Sequence, residues 1–284
     1  MSDHRPESME GIDTGTEKLL LDFPAAAVAR LTISNPAKRN ALDHEILDAI
    51  TATVPQLDSG IDVRCLVITG ADPVFSAGYD IGGIPDESFS EDAEALVAHP
   101  FPAALETLDA FPWPTLAALN GHCLGGALEL AITCDLRIAS DAAKFGMPPA
   151  KLGLIYGHTG LERFIETIGA PRTRELFFTG QNLTATRADA INLVNRLAAP
   201  GELEAESVEL AATIAANAPL SMRGNKRVIR TLIENPVLDE DQVRELVELS
   251  RGDADRFVPM VERLTALAGE EAAMPFRLEL ADGY

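Results

Sequence analysis

The sequence of 284 residues predicts an α/β fold followed by a helical C-terminal region. Short apolar runs that end at turn residues alternate with segments whose apolar residues recur at helical spacing, which is the pattern of repeated strand, loop and helix. From about residue 202 the chain is rich in Ala, Glu and Leu, which favour helices. We therefore expect a disordered leader over residues 1–16, an α/β core over 17–205 and a helical region over 206–284.

The first half of the core contains three predicted strands and two predicted helices. The helix over 43–57 begins at Asp43, whose side chain is a suitable N-cap. An acidic segment rich in Gly and Pro, 82–100, lies before the second helix, and it is either a mobile loop beside a pocket or an inert insertion. The predicted strands cover 27–33, 64–70 and 115–121, and the second helix covers 104–111.

The second half of the core begins with the helix LGGALELAIT over 124–133 and the strand DLRIAS over 135–140. Three further helices follow, over 161–169, 171–180 and 185–194. Gly169 and Gly180 are placed as stops at the ends of the first two, because glycine adopts the left-handed conformation that terminates a helix.

Composition limits the classes of function. A formal charge of −21 disfavours nucleic acid and anionic membranes as partners, because the mean field repels both. The three cysteines lie in apolar segments without a CxxC pair, and the five histidines show no metal-binding spacing. The sequence has no secretory signal pattern and no apolar run of about 18 residues. We expect a cytoplasmic protein without a metal.

Glu129 is the one charged residue of the apolar run LGGALELAIT. A buried carboxylate without a partner costs several kcal/mol or becomes protonated, so its presence points to a function. A Glu in the first turn of a helix also has a structural explanation, since it complements the exposed N–H groups there. Both interpretations stay open on this run alone.

Two glycine-containing segments place backbone N–H groups near Glu129. Gly125 and Gly126 begin the helix at the end of a strand, where α/β proteins bind ligands, and Glu129 lies one turn away on the face of Gly126. FSAGYDI, residues 75–81, follows another strand with small residues that let a ligand approach the backbone. An N–H of Tyr79 would be a second donor to an oxyanion. A tight turn at the end of a strand is the structural alternative for this segment.

Four motifs in order, NPAKRNAL, FSAGYDI, NGHCLGGALELAITCD and FGMPPAKLGL, resemble the enoyl-CoA hydratase/isomerase (crotonase) superfamily over about residues 17–270. The resemblance implies a spiral of ββα turns with a C-terminal helical region that packs trimers, often paired into hexamers. It also implies an acyl-CoA thioester as substrate, with no cofactor beyond its CoA. The backbone N–H groups of Tyr79 and Gly126 would hold the thioester carbonyl, and Glu129 would be the general acid/base.

The resemblance also suggests where CoA binds. Lys38 and Arg39 lie in the turn that borders the adenine and phosphate portion in the family, although an exposed basic pair is otherwise a solvated turn. The further residues that we assign to CoA binding are Ala41, Ala77, Asp80 and Gly125.

The sequence departs from a hydratase at Pro149, which stands where hydratases of the family have a second glutamate. Tyr156 lies on a loop that borders the acyl pocket in the family, and this combination is similar to the methylmalonyl-CoA decarboxylase branch. Tyr156 would then orient a carboxylate or protonate the enolate, or else pack structurally. Tyr79 is bulky and would narrow the pocket toward short acyl groups. Three functions stay open: enolate chemistry with Glu129, decarboxylation of a 2-carboxyacyl-CoA, and non-catalytic CoA binding.

Overall fold

A computed structural model describes residues 4–58, 62–80, 100–234 and Arg244. Within these ranges the chain forms nine β-strands, eight α-helices and three short 3-10 helices. The described residues fall into two compact units that divide between Ala216 and Asn217. The first unit holds both sheets, and the second holds the last helix described below.

The larger sheet has six strands in the order β1-β2-β3-β4-β6-β9, and only the pair β1 and β2 is antiparallel. The predicted strands at 27–33, 64–70, 115–121 and 135–140 are confirmed. The strands of this sheet are β1 (Leu19–Ala25), β2 (Val28–Ile33), β3 (Cys65–Gly70), β4 (Thr115–Leu119), β6 (Leu136–Ser140) and β9 (Arg196–Ala198).

Strand β1 was not predicted from the sequence. This strand contains Pro24, which cannot donate to a sheet ladder, and it lies at the edge of the sheet, where proline is tolerated. The smaller sheet was also missed, because its strands have only two or three residues. It has the order β5-β7-β8, formed by Cys123–Leu124, Lys144–Gly146 and Leu183–Thr184.

The predicted helices of the core are found at their expected places, but those over 161–169 and 171–180 form one kinked helix and the one over 185–194 ends at Ala190. Asp43 caps α1, because its carboxylate accepts a hydrogen bond of 3.1 Å from the N–H of Ile46. Gly169 (φ 74°) kinks α5, and Gly180 (φ 56°) ends it. The helices of the first unit are α1 (His44–Thr53), α2 (Phe101–Ala110), α3 (Gly126–Thr133), α4 (Pro149–Leu152), α5 (His158–Thr179), α6 (Ala185–Ala190) and α7 (Leu203–Ala216).

The six-stranded sheet carries a hydrophobic cluster on each face. Leu66 and Ile68 of β3 belong to the larger cluster, which includes the buried faces of α1, α2 and α3. Cys65 and Val67 alternate with them and belong to the smaller cluster with Ala211 and Ala215 of α7. This alternation is the expected behaviour of a strand that is buried on both faces. Helix α3 is buried along its whole length, so every side chain on it has its surroundings fixed.

Two boundaries of the predicted domain division, which stays a prediction, lie in described parts of the chain. Residues 4–16, expected to be a disordered leader, hold a 3-10 helix with a fully buried Met9, and the guanidinium of Arg5 lies 4.9 Å from the ring centre of Phe23. Burial of Met9 explains why the segment packs on the core. A boundary between residues 205 and 206 falls inside α7, which belongs to the first unit.

The second unit contributes α8 (Pro219–Glu234). Residues 82–99 of the acidic segment lie outside the described residues, so both interpretations of that segment stay open. No helix in the described ranges is long and apolar enough to cross a membrane.

Candidate active site

A cavity of about 590 Å³ lies in the first unit, where several chain segments meet. Its walls come from residues 77–79, the first turns of α2 and α3, the segment 148–157 and the first turns of α5. Six of the residues predicted to form the site line it together: Ala77, Tyr79, Gly125, Gly126, Glu129 and Tyr156.

The segment 76–80 is fastened to the start of β5. The N–H of Ser76 donates to the carbonyl of His122 at 3.1 Å, and the N–H of Leu124 donates to the carbonyl of Ser76 at 3.2 Å. Gly78 has φ 91°, and a Cβ there would lie 2.6 Å from the carbonyl oxygen of Leu124. Only glycine therefore fits at this position, and the two segments approach backbone to backbone.

A second bridge, between Leu42 and Tyr79, fixes the direction of the backbone of Tyr79. The N–H of Leu42 donates to the carbonyl of Gly78 at 2.8 Å, and the N–H of Asp80 donates to the carbonyl of Leu42 at 3.0 Å. In an extended strand alternate N–H groups point to opposite sides, so the N–H of Tyr79 points away from Leu42.

The N–H of Gly126 belongs to the first turn of α3, where helix donors have no partner within the helix. Within the described ranges, the N–H groups of Tyr79 and Gly126 donate no hydrogen bond to another protein group. Both residues line the cavity. Two backbone N–H groups without a described protein partner, those of Tyr79 and Gly126, thus lie beside the cavity.

Glu129 is 4% exposed and has two partners. The hydroxyl of Tyr156 donates a short hydrogen bond to Oε2, and Nη1 of Arg163 lies 3.5 Å from Oε1. Burial raises the pKa of the Glu129 carboxyl above its ordinary value, while the hydrogen bond from Tyr156 and the charge of Arg163 oppose this rise. The carboxylate is therefore engaged by groups across the cavity wall, which disfavours the interpretation as a helix-terminal Glu.

Gly160, in the first turn of α5, leaves the space that Glu129 and Tyr156 occupy. A Cβ at this position would lie 2.8 Å from Glu129 Oε1 and 2.5 Å from Tyr156 Cε1. The half-buried ring of Tyr156 packs edge to face against Phe177, with ring centres 5.3 Å apart. Burial and the neighbouring charge of Glu129 raise the pKa of the Tyr156 hydroxyl well above its ordinary value, so it stays a donor.

Tyr79 narrows the cavity with its side chain. The ring packs edge to face against Phe101 with centres 4.6 Å apart, and it covers Gly126, whose added Cβ would lie 2.7 Å from Tyr79 Cε2. The hydroxyl is buried and makes no hydrogen bond with a described group. Burial, followed by the charge of Glu129, raises the pKa of this hydroxyl far above its ordinary value.

The other residues predicted to bind CoA lie outside the cavity lining. Lys38 forms an ion pair with Asp80, and its side chain is 55% exposed. Arg39 is exposed in a left-handed conformation (φ 55°), while Ala41 is 5% exposed. The structure therefore joins the Lys38 turn to the Tyr79 segment through a side-chain ion pair as well as through the Leu42 bridge.

Three residues of the site were not predicted from the sequence: Gly160, Arg163 and Phe101. Arg163 lies in the predicted helix over 161–169, where a single basic residue carries no distinguishing pattern, and its contact with Glu129 joins two helices. Pro149 lines the cavity as the first residue of α4 and brings no titratable group to it. The described residues contain no group of three His, Cys, Asp or Glu side chains suited to a metal ion.

Comparison with known proteins shows the family of this chain. The family model described as enoyl-CoA hydratase/isomerase matches residues 24–247. The chain belongs to the enoyl-CoA hydratase/isomerase family. The family resemblance that the sequence motifs indicated is thereby confirmed.

Relatives from several organisms match most of the chain. YngF of Bacillus subtilis, which is named as a member of the same family, is 37% identical over 219 residues, covering 77% of this chain and 84% of that protein. The short-chain-enoyl-CoA hydratase of Clostridium acetobutylicum is 34% identical over 204 residues, covering 71% of this chain and 77% of that protein.

Solved structures confirm the crotonase-like α/β fold. The crystal structure of enoyl-CoA hydratase from Bacillus anthracis superposes with a TM-score of 0.76 at 27% identity and covers 88% of this chain and 95% of that chain. The family thus accounts for the fold that carries the cavity, and Pro149, Tyr156 and Tyr79 line the cavity in this chain.

Proposed function

We propose that this enzyme stabilises the enolate of an acyl-CoA thioester, with the N–H groups of Tyr79 and Gly126 as an oxyanion hole and Glu129 as the general acid/base. One observation carries the proposal: two unused backbone donors and one buried carboxylate line the same cavity. Enolate formation requires a charge on the thioester oxygen and a proton transfer at the neighbouring carbon, and these groups supply both.

The backbone donors act on the oxygen, where negative charge develops. Preorganised N–H groups stabilise such a charge more strongly than the neutral carbonyl, and removal of one donor of this kind costs about 10²–10³ in kcat. The Gly78 conformation and the bridges to Leu42 and Leu124 fix the direction of the Tyr79 donor. This rigidity supports the role, because a donor that needs no reorientation loses none of its stabilisation to reorganisation.

Glu129 transfers a proton at the carbon beside the thioester carbonyl. The cavity presents one buried carboxylate beside the donors, because Pro149 stands at the position of a second glutamate and Glu106, which also lines the cavity, is exposed. A single carboxylate suffices for moving a proton away from carbon and back, as in the shift of a double bond. Hydration also requires a group that helps to activate a water molecule. The hydroxyl of Tyr156, which donates to Glu129, is the group beside the carboxylate that could do so.

Decarboxylation of a 2-carboxyacyl-CoA is the second candidate, favoured by Pro149 and by the Tyr156 contact. Loss of CO₂ leaves the electron pair on the carbon beside the thioester, so it gives the enolate without a base. The donors at Tyr79 and Gly126 would hold the charge, and Tyr156 or Glu129 would deliver the proton to carbon.

The remaining parts of the proposal concern the CoA portion and the assembly. Lys38 and Arg39 bind the phosphates, and Ala41, Ala77, Asp80 and Gly125 border the rest of CoA. The reaction uses no cofactor beyond the CoA of its substrate and takes place in the cytoplasm. The C-terminal helical region assembles the chain into trimers or hexamers. These assignments rest on the family resemblance.

The test is a parallel incubation of the purified protein with crotonyl-CoA, a 3-enoyl-CoA and methylmalonyl-CoA. Mass spectrometry detects gain of water or loss of CO₂, and ultraviolet absorbance of the conjugated thioester detects a shifted double bond. We expect turnover of at least one substrate. Gain of water or a shifted double bond should be lost in E129Q, whereas decarboxylation needs no base and should persist in part because Tyr156 is a second proton donor. The E129Q variant should still bind the acyl-CoA in calorimetry.

Each outcome separates the candidates. Loss of CO₂ selects the decarboxylase, and a shifted double bond or gain of water selects Glu129 chemistry without a second carboxylate. Tight binding of every acyl-CoA with no turnover would contradict both enzymatic functions and support the third candidate, a non-catalytic oligomer that binds CoA.

A further inference from the structure

Arg163 brings a positive charge to the cavity. Among its described lining residues Arg163 is the one cation, and its side chain is 22% exposed. The other titratable groups that line the cavity are Tyr79 after β3, Glu106 on α2, Glu129 on α3 and Tyr156 before α5. Arg163 faces Glu129 directly, with Nη1 3.5 Å from Oε1.

The geometry assigns each oxygen of Glu129 to one partner. Tyr156 donates to Oε2, while Gly160 and Arg163, which lie one turn apart on α5, are next to Oε1. Gly160 contributes no side chain, so the carboxylate can lie against the helix, and Arg163 contributes the charge one turn later. The carboxylate is thus held from both sides in a single orientation.

The charge balance shows why such a cation matters. Glu129 is buried in a chain with a formal charge of −21, and both features favour the protonated carboxyl. A protonated carboxyl cannot remove a proton from a substrate. A cation within about 4–6 Å favours the ionised form by an amount that offsets part of the burial.

We propose that Arg163 is a positioning residue that keeps the Glu129 carboxylate ionised and directed into the cavity. Arg163 acts through Glu129 and does not contact the reacting atoms. The proposal rests on the proposed function in one respect, which is that Glu129 transfers a proton. Its effect on the ionisation of Glu129 is measurable without any turnover.

The first measurement is a titration of the protein labelled with ¹³C at the glutamate carboxyl carbons, followed by NMR. The signal of Glu129 is assigned by its absence in E129Q. In R163Q we expect the midpoint of this signal to rise by about one pH unit or more, because an opposite charge at this distance lowers a carboxyl pKa by about 1–3 units. R163K keeps a cation and should show a smaller rise.

The second measurement is the exchange of the protons beside the thioester of butyryl-CoA in D₂O, followed by mass spectrometry from pH 5 to 9. The acid limb of the wild-type profile should move upward in R163Q by the same interval as the NMR midpoint. At a fixed pH on that limb a shift of one unit is a tenfold loss of rate. R172Q is the matched control, because Arg172 lies on the same helix and pairs at the surface with Glu175 at 2.9 Å.

The outcomes distinguish the two levels of the proposal. An unchanged Glu129 midpoint in R163Q would overturn the role of Arg163, whatever the activity. A shifted midpoint in a protein whose wild type exchanges no acyl-CoA would support the role of Arg163 and contradict the proposed function. A uniform loss of rate in R163Q with an unmoved acid limb would mean a structural role alone and would also overturn the proposal.

Discussion

Replacement of Gly160 by alanine tests whether the position of Glu129 controls catalysis. The added Cβ would lie 2.8 Å from Glu129 Oε1, whereas ordinary contacts begin at about 3.4 Å, so the oxygen must move by about 0.6 Å. The same Cβ would lie 2.5 Å from Tyr156 Cε1 and displace that ring as well. Misplacement of a reacting group by about 1 Å costs about 10²-fold in rate. We therefore expect kcat to fall between tenfold and a hundredfold in G160A.

Stability should change much less than activity. Alanine is favoured over glycine inside a helix by about 1 kcal/mol, and overpacking of a close contact costs about 1–3 kcal/mol. The net loss in the free energy of unfolding is then about 0–2 kcal/mol. Urea denaturation measures this change, and exchange of butyryl-CoA protons in D₂O measures the change in rate.

Gly157 supplies the matched control at the start of the same helix. Gly157 also lines the cavity, but its backbone (φ −60°, ψ 144°) accepts alanine, and a Cβ there would meet no described atom within 4 Å, Glu129 and Tyr156 included. G157A should keep the exchange rate within about threefold, which is below the effect of a displaced catalytic group. Equal rates in G160A and the wild type would refute the reasoning, because they would show that Glu129 can move without consequence.

Three further predictions follow from particular contacts. Burial raises the pKa of Glu129 above its ordinary value of 4.5, so the wild-type protein should lose stability relative to E129Q as the pH rises above 4.5. Urea denaturation of both proteins at pH 4 and pH 8 measures this difference in unfolding free energy. A difference that is independent of pH would contradict the prediction. The side-chain amide of buried Asn40 donates to the carbonyls of Ala71 (2.6 Å) and Val74 (2.8 Å), so N40A should lose about 3 kcal/mol of unfolding free energy. The control N192A replaces an exposed residue in the left-handed conformation and should lose about 1 kcal/mol. The ring of Tyr79 packs against Phe101 and narrows the cavity, so Y79A should raise kcat/KM for a six-carbon acyl-CoA relative to a four-carbon one by about tenfold or more. An unchanged ratio would show that Tyr79 does not limit the chain length of the acyl group.

The framework of the fold was predictable because it depends on local pattern. The runs that became β2, β3, β4 and β6 are apolar and bounded by turn residues, and Asp43 marks the start of α1. The edge strand β1 was missed, because Pro24 contradicts a strand unless its place at the edge is known. The order within residues 4–16 left no local pattern in the sequence, since it depends on the burial of Met9 and on the stacking of Arg5 over Phe23 of β1.

The candidate site divides in the same way. Gly126 and Glu129 lie one helical turn apart, so their common face was visible in the sequence. Arg163 and Gly160 reach Glu129 only because α5 packs against α3, and such a contact between distant segments leaves no spacing to detect. The pairing of Lys38 with Asp80 likewise joins two turns that are far apart in the chain.

The central claim is that Glu129 and the two backbone donors generate an acyl-CoA enolate. Its most direct measurement compares wild type and E129Q for the exchange of butyryl-CoA protons in D₂O, with binding of the same compound followed by calorimetry. We predict exchange beside the thioester in the wild type, at least a hundredfold less in E129Q, and similar binding by both, since a positioned general base contributes about 10²–10⁴ in rate. Equal exchange in the two proteins, or binding without exchange in the wild type, would contradict the account.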